Sequence, residues 1–204
     1  WIDHNCTFPN SMVDCIVPAT GPSELDLVRS LGVSDASPVT HENFRQWVIE
    51  DSFCAGRPDW EKVGVTLTDD VHDFEAMKIR VLNGGHQILA NAGELLSLGT
   101  IAECIANDLI SAFFQKTARD EILPHLVAVP SMEPTASITL INDRFANPRI
   151  VDTTRPVPLD ASSPHPGFVI PSLMDGLNYR TPITGFASAA DLWAWFSEMA
   201  SFVC

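Results

Sequence analysis

The sequence predicts a mainly α, multi-helical fold with extended connectors. Two long stretches, 71–99 and 101–123, carry apolar residues at helical spacing. Prolines punctuate the rest of the chain, five of them among residues 156–171. Hydrophobic residues make up 46% and charged residues 19%, so a packed core is expected rather than a disordered chain.

Taken in order, Pro9, Pro18 and Pro22 break residues 1–22, because proline lacks the N–H a helix needs. Ser23-Glu24-Leu25-Asp26-Leu27-Val28 combines a capping hydroxyl, early acids and apolar spacing, which predicts a short helix. Residues 32–40 form a connector. Phe44, Trp47, Val48 and Phe53 leave 41–53 open between helix and a short extended segment. Gly56-Arg57-Pro58 turns the chain, and residues 63–70 alternate weakly, as a strand does. Asp69, Asp70 and Asp73 then open the strongest helix, from about Val71 to Gly99, where acids complement the helix dipole. The second run, 101–123, stops at Pro124. Pro130 and Pro134 mark a loop, 136–145 is helical, Pro148 is a break and 156–171 is irregular. Leu192, Trp193, Phe196 and Met199 place a closing helix over 187–203. No internal repeat is evident.

Twelve Lys and Arg stand against 26 Asp and Glu, a formal net charge of −14. Such a surface repels phosphate backbones and anionic lipid, which argues against nucleic-acid and membrane partners. The five cysteines, Cys6, Cys15, Cys54, Cys104 and Cys204, are scattered without a C-x-x-C pair. They read as reduced thiols of a cytoplasmic protein. No ligand pair has zinc-site spacing, so no metal is expected. No apolar run approaches the roughly 20 residues of a membrane span, and Trp1-Ile2-Asp3-His4 lacks the features of a leader. Without an initiator Met, the chain reads as a piece of a longer protein.

The chemistry concentrates in Phe74-Glu75-Ala76-Met77-Lys78-Ile79-Arg80-Val81-Leu82-Asn83-Gly84-Gly85-His86. At about 100° per residue, Glu75, Lys78, Asn83 and His86 fall within an arc of about 140°. One helix face thus offers a carboxylate, an amine, an amide and an imidazole. A desolvated lysine can serve as general base toward an alcohol, while amide and imidazole hold the developing oxyanion. The glycine pair, which costs roughly 1 kcal/mol per residue relative to alanine, asks for a close approach of ligand or backbone. The competing reading makes Lys78 and Arg80 solvated surface residues, and Asn83-Gly84 a helix cap. Trp47, Trp60, Trp193 and Trp195 read as core residues, and the other histidines share no ligand spacing.

Four linked segments carry a family resemblance. They are Asn10-Ser11-Met12-Val13-Asp14, Phe44-Arg45-Gln46-Trp47-Val48-Ile49-Glu50-Asp51, Gly56-Arg57-Pro58-Asp59-Trp60-Glu61 and Met77 through His86. In this order and spacing the chain resembles the long-chain mannitol dehydrogenases from Trp1 to about Trp195. Fructuronate and altronate reductases share much of the pattern. The resemblance implies a C-terminal substrate domain of the 6-phosphogluconate dehydrogenase C-terminal-like fold, covering 1–204 as one incomplete domain. It implies Lys78 as general base, Asn83 as the amide that polarises the reacting oxygen and Glu75 as a carboxylate on the proton path. It further implies His86 and Asp14 as substrate-binding residues.

The function so implied is NAD- or NADP-dependent interconversion of a polyol and a ketose, without a metal. The alternatives are a fructuronate- or altronate-type reductase and a degenerate, non-catalytic remnant. The nucleotide is expected to sit mainly on a Rossmann domain missing from this chain, which has no G-x-G-x-x-G. Three positions depart from the family: Cys15 and Pro156 stand where it has arginine, and Pro164 where it has lysine or arginine.

Without a phosphate-cradling loop, the 204-residue chain should bind neither NAD nor NADP by itself. Titration calorimetry with each nucleotide should give only heats of dilution, and tight binding of either would contradict this reading.

Overall fold

The computed structural model describes residues 1–130, 132–159, 163 and 165–201. Where the sequence suggests one domain over 1–204, the chain divides into two units, Trp1–Val71 and His72–Cys204.

The first unit holds more strand than expected. After the short helix α1 (Ile2–Asn5) comes β1 (Ser11–Asp14), between two prolines that would break a helix. Helix α2 (Pro22–Ser30) starts one residue before the predicted cap. The chain enters it through Gly21 and Pro22, and Glu24 reaches back to accept the Gly21 N–H at 2.7 Å. That bond holds the Glu24 carboxyl below its ordinary pKa. The open choice at 41–53 resolves as β2 (Gln46–Glu50), and the strand predicted over 63–70 contracts to β3 (Thr66–Thr68) behind a 3-10 turn at Trp60–Val63. The sheet order is β1-β2-β3, with β1 antiparallel and β3 parallel to β2. Trp47 is exposed on β2 rather than buried, against the ring of Trp60 at 5.4 Å.

The second unit is helical. The predicted helix over 71–99 runs as α3 (His72–Met77), a π-helical segment (Lys78–Asn83) and α4 (Gly84–Leu95). The second run divides at Asn107, whose side chain accepts the N–H groups of Leu109 and Ile110 and so starts a new helix. It therefore forms α5 (Ile101–Ala106), α6 (Asp108–Thr117) and a second π segment (Ala118–Ile122). Thr100 and Glu103 cap α5 reciprocally. Then follow α7 (Pro134–Phe145), the single turns α8 (Pro156–Leu159) and α9 (His165–Phe168), α10 (Ile170–Tyr179) and α11 (Thr184–Ser201). The region 156–171, expected to be irregular, thus contains helical turns, because proline is compatible with a helix's first turn. The side chains of Trp195, Phe196 and Met199 lie outside those described. No described helix is long and apolar enough to cross a membrane.

Helix α4 is the hub, packed on α5, α6, α8 and α11, with Ile88, Leu89 and Ala90 fully buried. Its glycines admit neighbours rather than a ligand. A Cβ on Gly84 would meet the Phe168 carbonyl and the Phe186 ring at 3.3 Å. On Gly85 it would stand 2.8 Å from Phe114 and 3.1 Å from Phe145. Glu121 from the second π segment accepts the N–H groups of Gly185 and Phe186 at 2.6 and 2.9 Å and so ties down the start of α11.

Gly85→Ala gains helix propensity of about 1 kcal/mol but forces a methyl into rings that have no room, at a cost of roughly 1–3 kcal/mol. The clash should win. Urea denaturation should show a lower midpoint with an unchanged slope, and a more stable variant would contradict the packing described.

Candidate active site

The π-helical segment changes how the expected site residues line up. Its i→i+5 hydrogen bonds wind the chain by roughly 80° per residue. From Lys78 to Asn83 the rotation is then about 400°, leaving the two offset by about 40°, whereas an α-helix would leave about 140°. Carrying the α-helical winding on either side, Glu75, Lys78, Asn83 and His86 fall within about 80° rather than about 140°. On this ideal winding the extra residue in the turn brings the four positions into one stripe.

Lys78 is half-buried. Of the three lysines, Lys62 pairs with Asp59 and Lys116 with Asp120, both through exposed ends. Lys78 forms no ion pair or hydrogen bond among the described residues. The Asn83 Oδ1 is sealed from solvent without a partner. A buried acceptor left unpaired costs roughly 1–3 kcal/mol, which a hydroxyl-bearing ligand or a water would recover. Glu75 is exposed one turn before Lys78. Asp14 is buried on the same side of β1 as Met12 and belongs to the first unit, the other four residues to the second.

His86 is held on three sides. One ring nitrogen, Nδ1, lies 2.9 Å from the Leu82 carbonyl, and Nε2 lies 2.7 Å from Oδ2 of Asp152. The ring also meets the Phe145 ring edge-on at 4.6 Å. Asp152 is a residue that sequence reasoning missed. It lies 66 positions from His86, and no spacing rule links the two. Its own backbone is pinned: its carbonyl accepts the Ile101 N–H, and the Thr154 N–H reaches the Gly99 carbonyl. Next along the chain a cleft of about 670 Å³ is lined by Glu94, Ser97, Thr153, Thr154 and Arg155 among others.

Several other residues in the quoted motifs are structural. Arg57 grips Asp51 through two bonds of 2.7 and 3.0 Å and Glu61 through a third of 2.7 Å. This clamp lowers the Asp51 pKa and raises that of Arg57. Arg155 reaches Glu94 at 3.4 Å, and Pro156 begins α8. Asp160, Ala161, Ser162 and Pro164 lie outside the described residues. Burial pushes the Cys104 thiol up to about 11, which leaves it an unreactive core group. Burial also lowers the pKa of His165, which donates from Nε2 to Gln87 at 3.1 Å.

Comparison with known proteins adds an independent line. The family model for the mannitol dehydrogenase C-terminal domain matches residues 70–200, and that for the mannitol dehydrogenase Rossmann domain matches 1–62. The join falls near where the structure divides, and residues 1–62, matched by the Rossmann model, lie within the first unit. A mannitol 2-dehydrogenase of Cereibacter sphaeroides is 49% identical over 95% of the chain and 40% of its own length. One from Aspergillus niger is 35% identical over 95% of the chain and 40% of its own length. Among solved structures, Pseudomonas fluorescens mannitol 2-dehydrogenase in ternary complex with NAD and D-mannitol superposes with a TM-score of 0.88 at 36% identity. It is matched over 96% of this chain and 40% of that one. A D-sorbitol dehydrogenase in substrate-free form gives 0.86 at 30% identity, over 95% and 40%. The chain spans about 40% of the length of these relatives.

The depressed His165 pKa has a defined consequence for stability. The unfolded chain takes up a proton near pH 6.5, the folded one only at lower pH. The stability that neutral His165 supports is therefore complete above that value and lost as pH falls below it. Urea midpoints at pH 7.5 and 5 should fall further for the parent than for His165→Gln. An equal fall in both would show that His165 is not the group responsible.

Proposed function

The chain belongs to the mannitol dehydrogenase family, and on that premise we propose that it is part of an NAD-dependent oxidoreductase interconverting a sugar alcohol and a ketose. It carries the end of the nucleotide-binding domain and the start of the substrate domain. The observation that carries the reading is Lys78, the lysine left without an ion pair among the described residues of a chain of net charge −14.

In this reading Lys78 Nζ takes the hydroxyl proton of the polyol. Asn83 holds the reacting oxygen by donating from its amide Nδ2–H, with half-buried Lys78 and Asn83 limiting water. NAD, when bound, would supply the hydride acceptor for the carbinol C–H as the carbonyl forms. The described residues include no dinucleotide cradle, so the cofactor is held chiefly by parts of the protein outside this chain. Glu75, exposed a turn from Lys78, suits passage of the proton to solvent. Asp14 is assigned to orienting the polyol. A neutral polyol is favoured over a keto-sugar acid, because Arg155 is turned to Glu94 and Pro156 offers no charge. Free thiols at Cys6, Cys54 and Cys104 fit a cytoplasmic setting.

Lys78→Ala in the full-length enzyme should abolish most polyol oxidation, and a small primary amine in the assay should restore part of it. Asn83→Ala should lower kcat by roughly 10²–10³-fold, the usual loss for one oxyanion donor. Steady-state rates with mannitol and NAD decide the matter. Near-parental turnover of Lys78→Ala would leave the family match as ancestry without this chemistry.

A further inference from the structure

Arg80 lies inside the π segment that carries Lys78 and Asn83. Its guanidinium Nη1 pairs with Oδ2 of Asp175 on α10 at 2.5 Å and donates to the His125 carbonyl at 3.5 Å. The two side chains are 18% and 25% exposed, so water and salt screen this pair less than the surface pairs of Lys62 and Lys116. The two anchors are also tied to each other. His125 Nε2 lies 2.8 Å from the Thr181 hydroxyl just past α10, and its ring stands 5.5 Å from that of Tyr179, the last residue of α10. Arg80 therefore joins the π segment to a braced pair of segments.

Winding decides what that joint does. At roughly 80° per residue, Arg80 stands about 160° round from Lys78, on the far side from the stripe, and so does not meet a substrate held there. Were the segment α-helical, Arg80 would stand about 200° round, a further turn of about 40°. A side chain reaching roughly 5–6 Å from the helix axis would then carry its tip about 4 Å sideways. That exceeds the 2.5 Å of the bond to Asp175, so an arginine fixed at its tip resists the change of winding.

We propose that Arg80 is a positioning residue for the reaction: its ion pair with Asp175 holds the π winding on which Lys78 and Asn83 come to one side. This rests on the polyol dehydrogenase reading given above. A π segment has poorer hydrogen-bond geometry than an α-helix and persists where its surroundings hold it. Buried Val81 and Leu82 contribute apolar contact, which has no direction. The charge-assisted bond from Arg80 has one, and it fixes an angle.

The test is a double-mutant cycle in the full-length enzyme, with thermal melts as a folding control. Arg80→Met keeps the apolar stem and removes the charged tip. Its kcat with mannitol should fall roughly tenfold to a hundredfold, the scale of loss when a catalytic group shifts by about an ångström. Its KM for NAD should stay near the parental value, where a general loosening of the protein would move both. Amide hydrogen exchange across residues 78–83 should quicken in the same variant. Arg80→Lys keeps a cation for Asp175 and should recover part of the turnover. Asp175→Asn, the mildest change to the pair, should show the same loss to a smaller degree, and it is read in place of Arg80→Met if that variant does not fold. In a Lys78→Ala background, Arg80→Met should cost far less, because the base it places is gone. Parental kcat for folded Arg80→Met, or an equal penalty with and without Lys78, would overturn the proposal while leaving the enzyme's function intact. A parent protein that does not oxidise polyols would overturn the functional reading, and this inference with it.

Discussion

The approach of aromatic rings to the glycine side of α4 is the contact on which the second unit depends. Phe186 packs tightly on Gly84, and Phe114 reaches Gly85 at a distance that leaves no room for a Cβ, with Phe145 close beside it. Burying one such ring is worth roughly 1.5–3 kcal/mol, against about 1 kcal/mol for each glycine in a helix. Burial wins, and the helix can carry a costly pair of residues in its middle. Because Phe145 also stands edge-on to His86, the packing that closes the core fixes a ring of the candidate site. Core and site share atoms here, so a change in one is felt in the other.

Winding is the second constraint. A helix that stayed α-helical through residues 78–83 would set Lys78 and Asn83 about 140° apart. The π segment takes up one residue and aligns them, at the expense of less favourable hydrogen-bond geometry. Local departures of this kind persist where surrounding packing holds them in place. The buried side chains Val81 and Leu82 and the tightly packed Gly84 and Gly85 provide that hold.

Charge is used in a consistent way. Many carboxylates of this acidic chain are engaged with backbone N–H groups or guanidinium groups: Glu24 at Gly21, Glu103 at Gly99 and Thr100, Glu121 at the start of α11 and Asp51 on Arg57. The first three meet helix N-termini, where anions are stabilised. Among the described residues, an amine without a carboxylate partner sets Lys78 apart from Lys62 and Lys116.

By itself the sequence determined the helical class, the long helix from residue 71, the break near Pro124, the helix ending at Phe145 and the family, because periodicity, proline and motif order are local properties of a chain. It also placed Glu75, Lys78, Asn83 and His86 on one helix side, though from a winding the structure does not keep. The sequence showed 101–123 as one run; its division at Asn107 came from the structure, where the Asn107 side chain starts a new helix. What only the tertiary structure decided depends on partners far along the chain. The strand at Ser11–Asp14 exists because Gln46–Glu50 lies beside it, and four residues without a clear period give no local signal. The glycine pair serves rings from α6, α7 and α11 rather than a ligand. The π turn and the bond from His86 to Asp152 across 66 residues arise only when helices and loops close on one another. Local spacing carries no record of such closure, since the energy that selects it comes from contacts between segments.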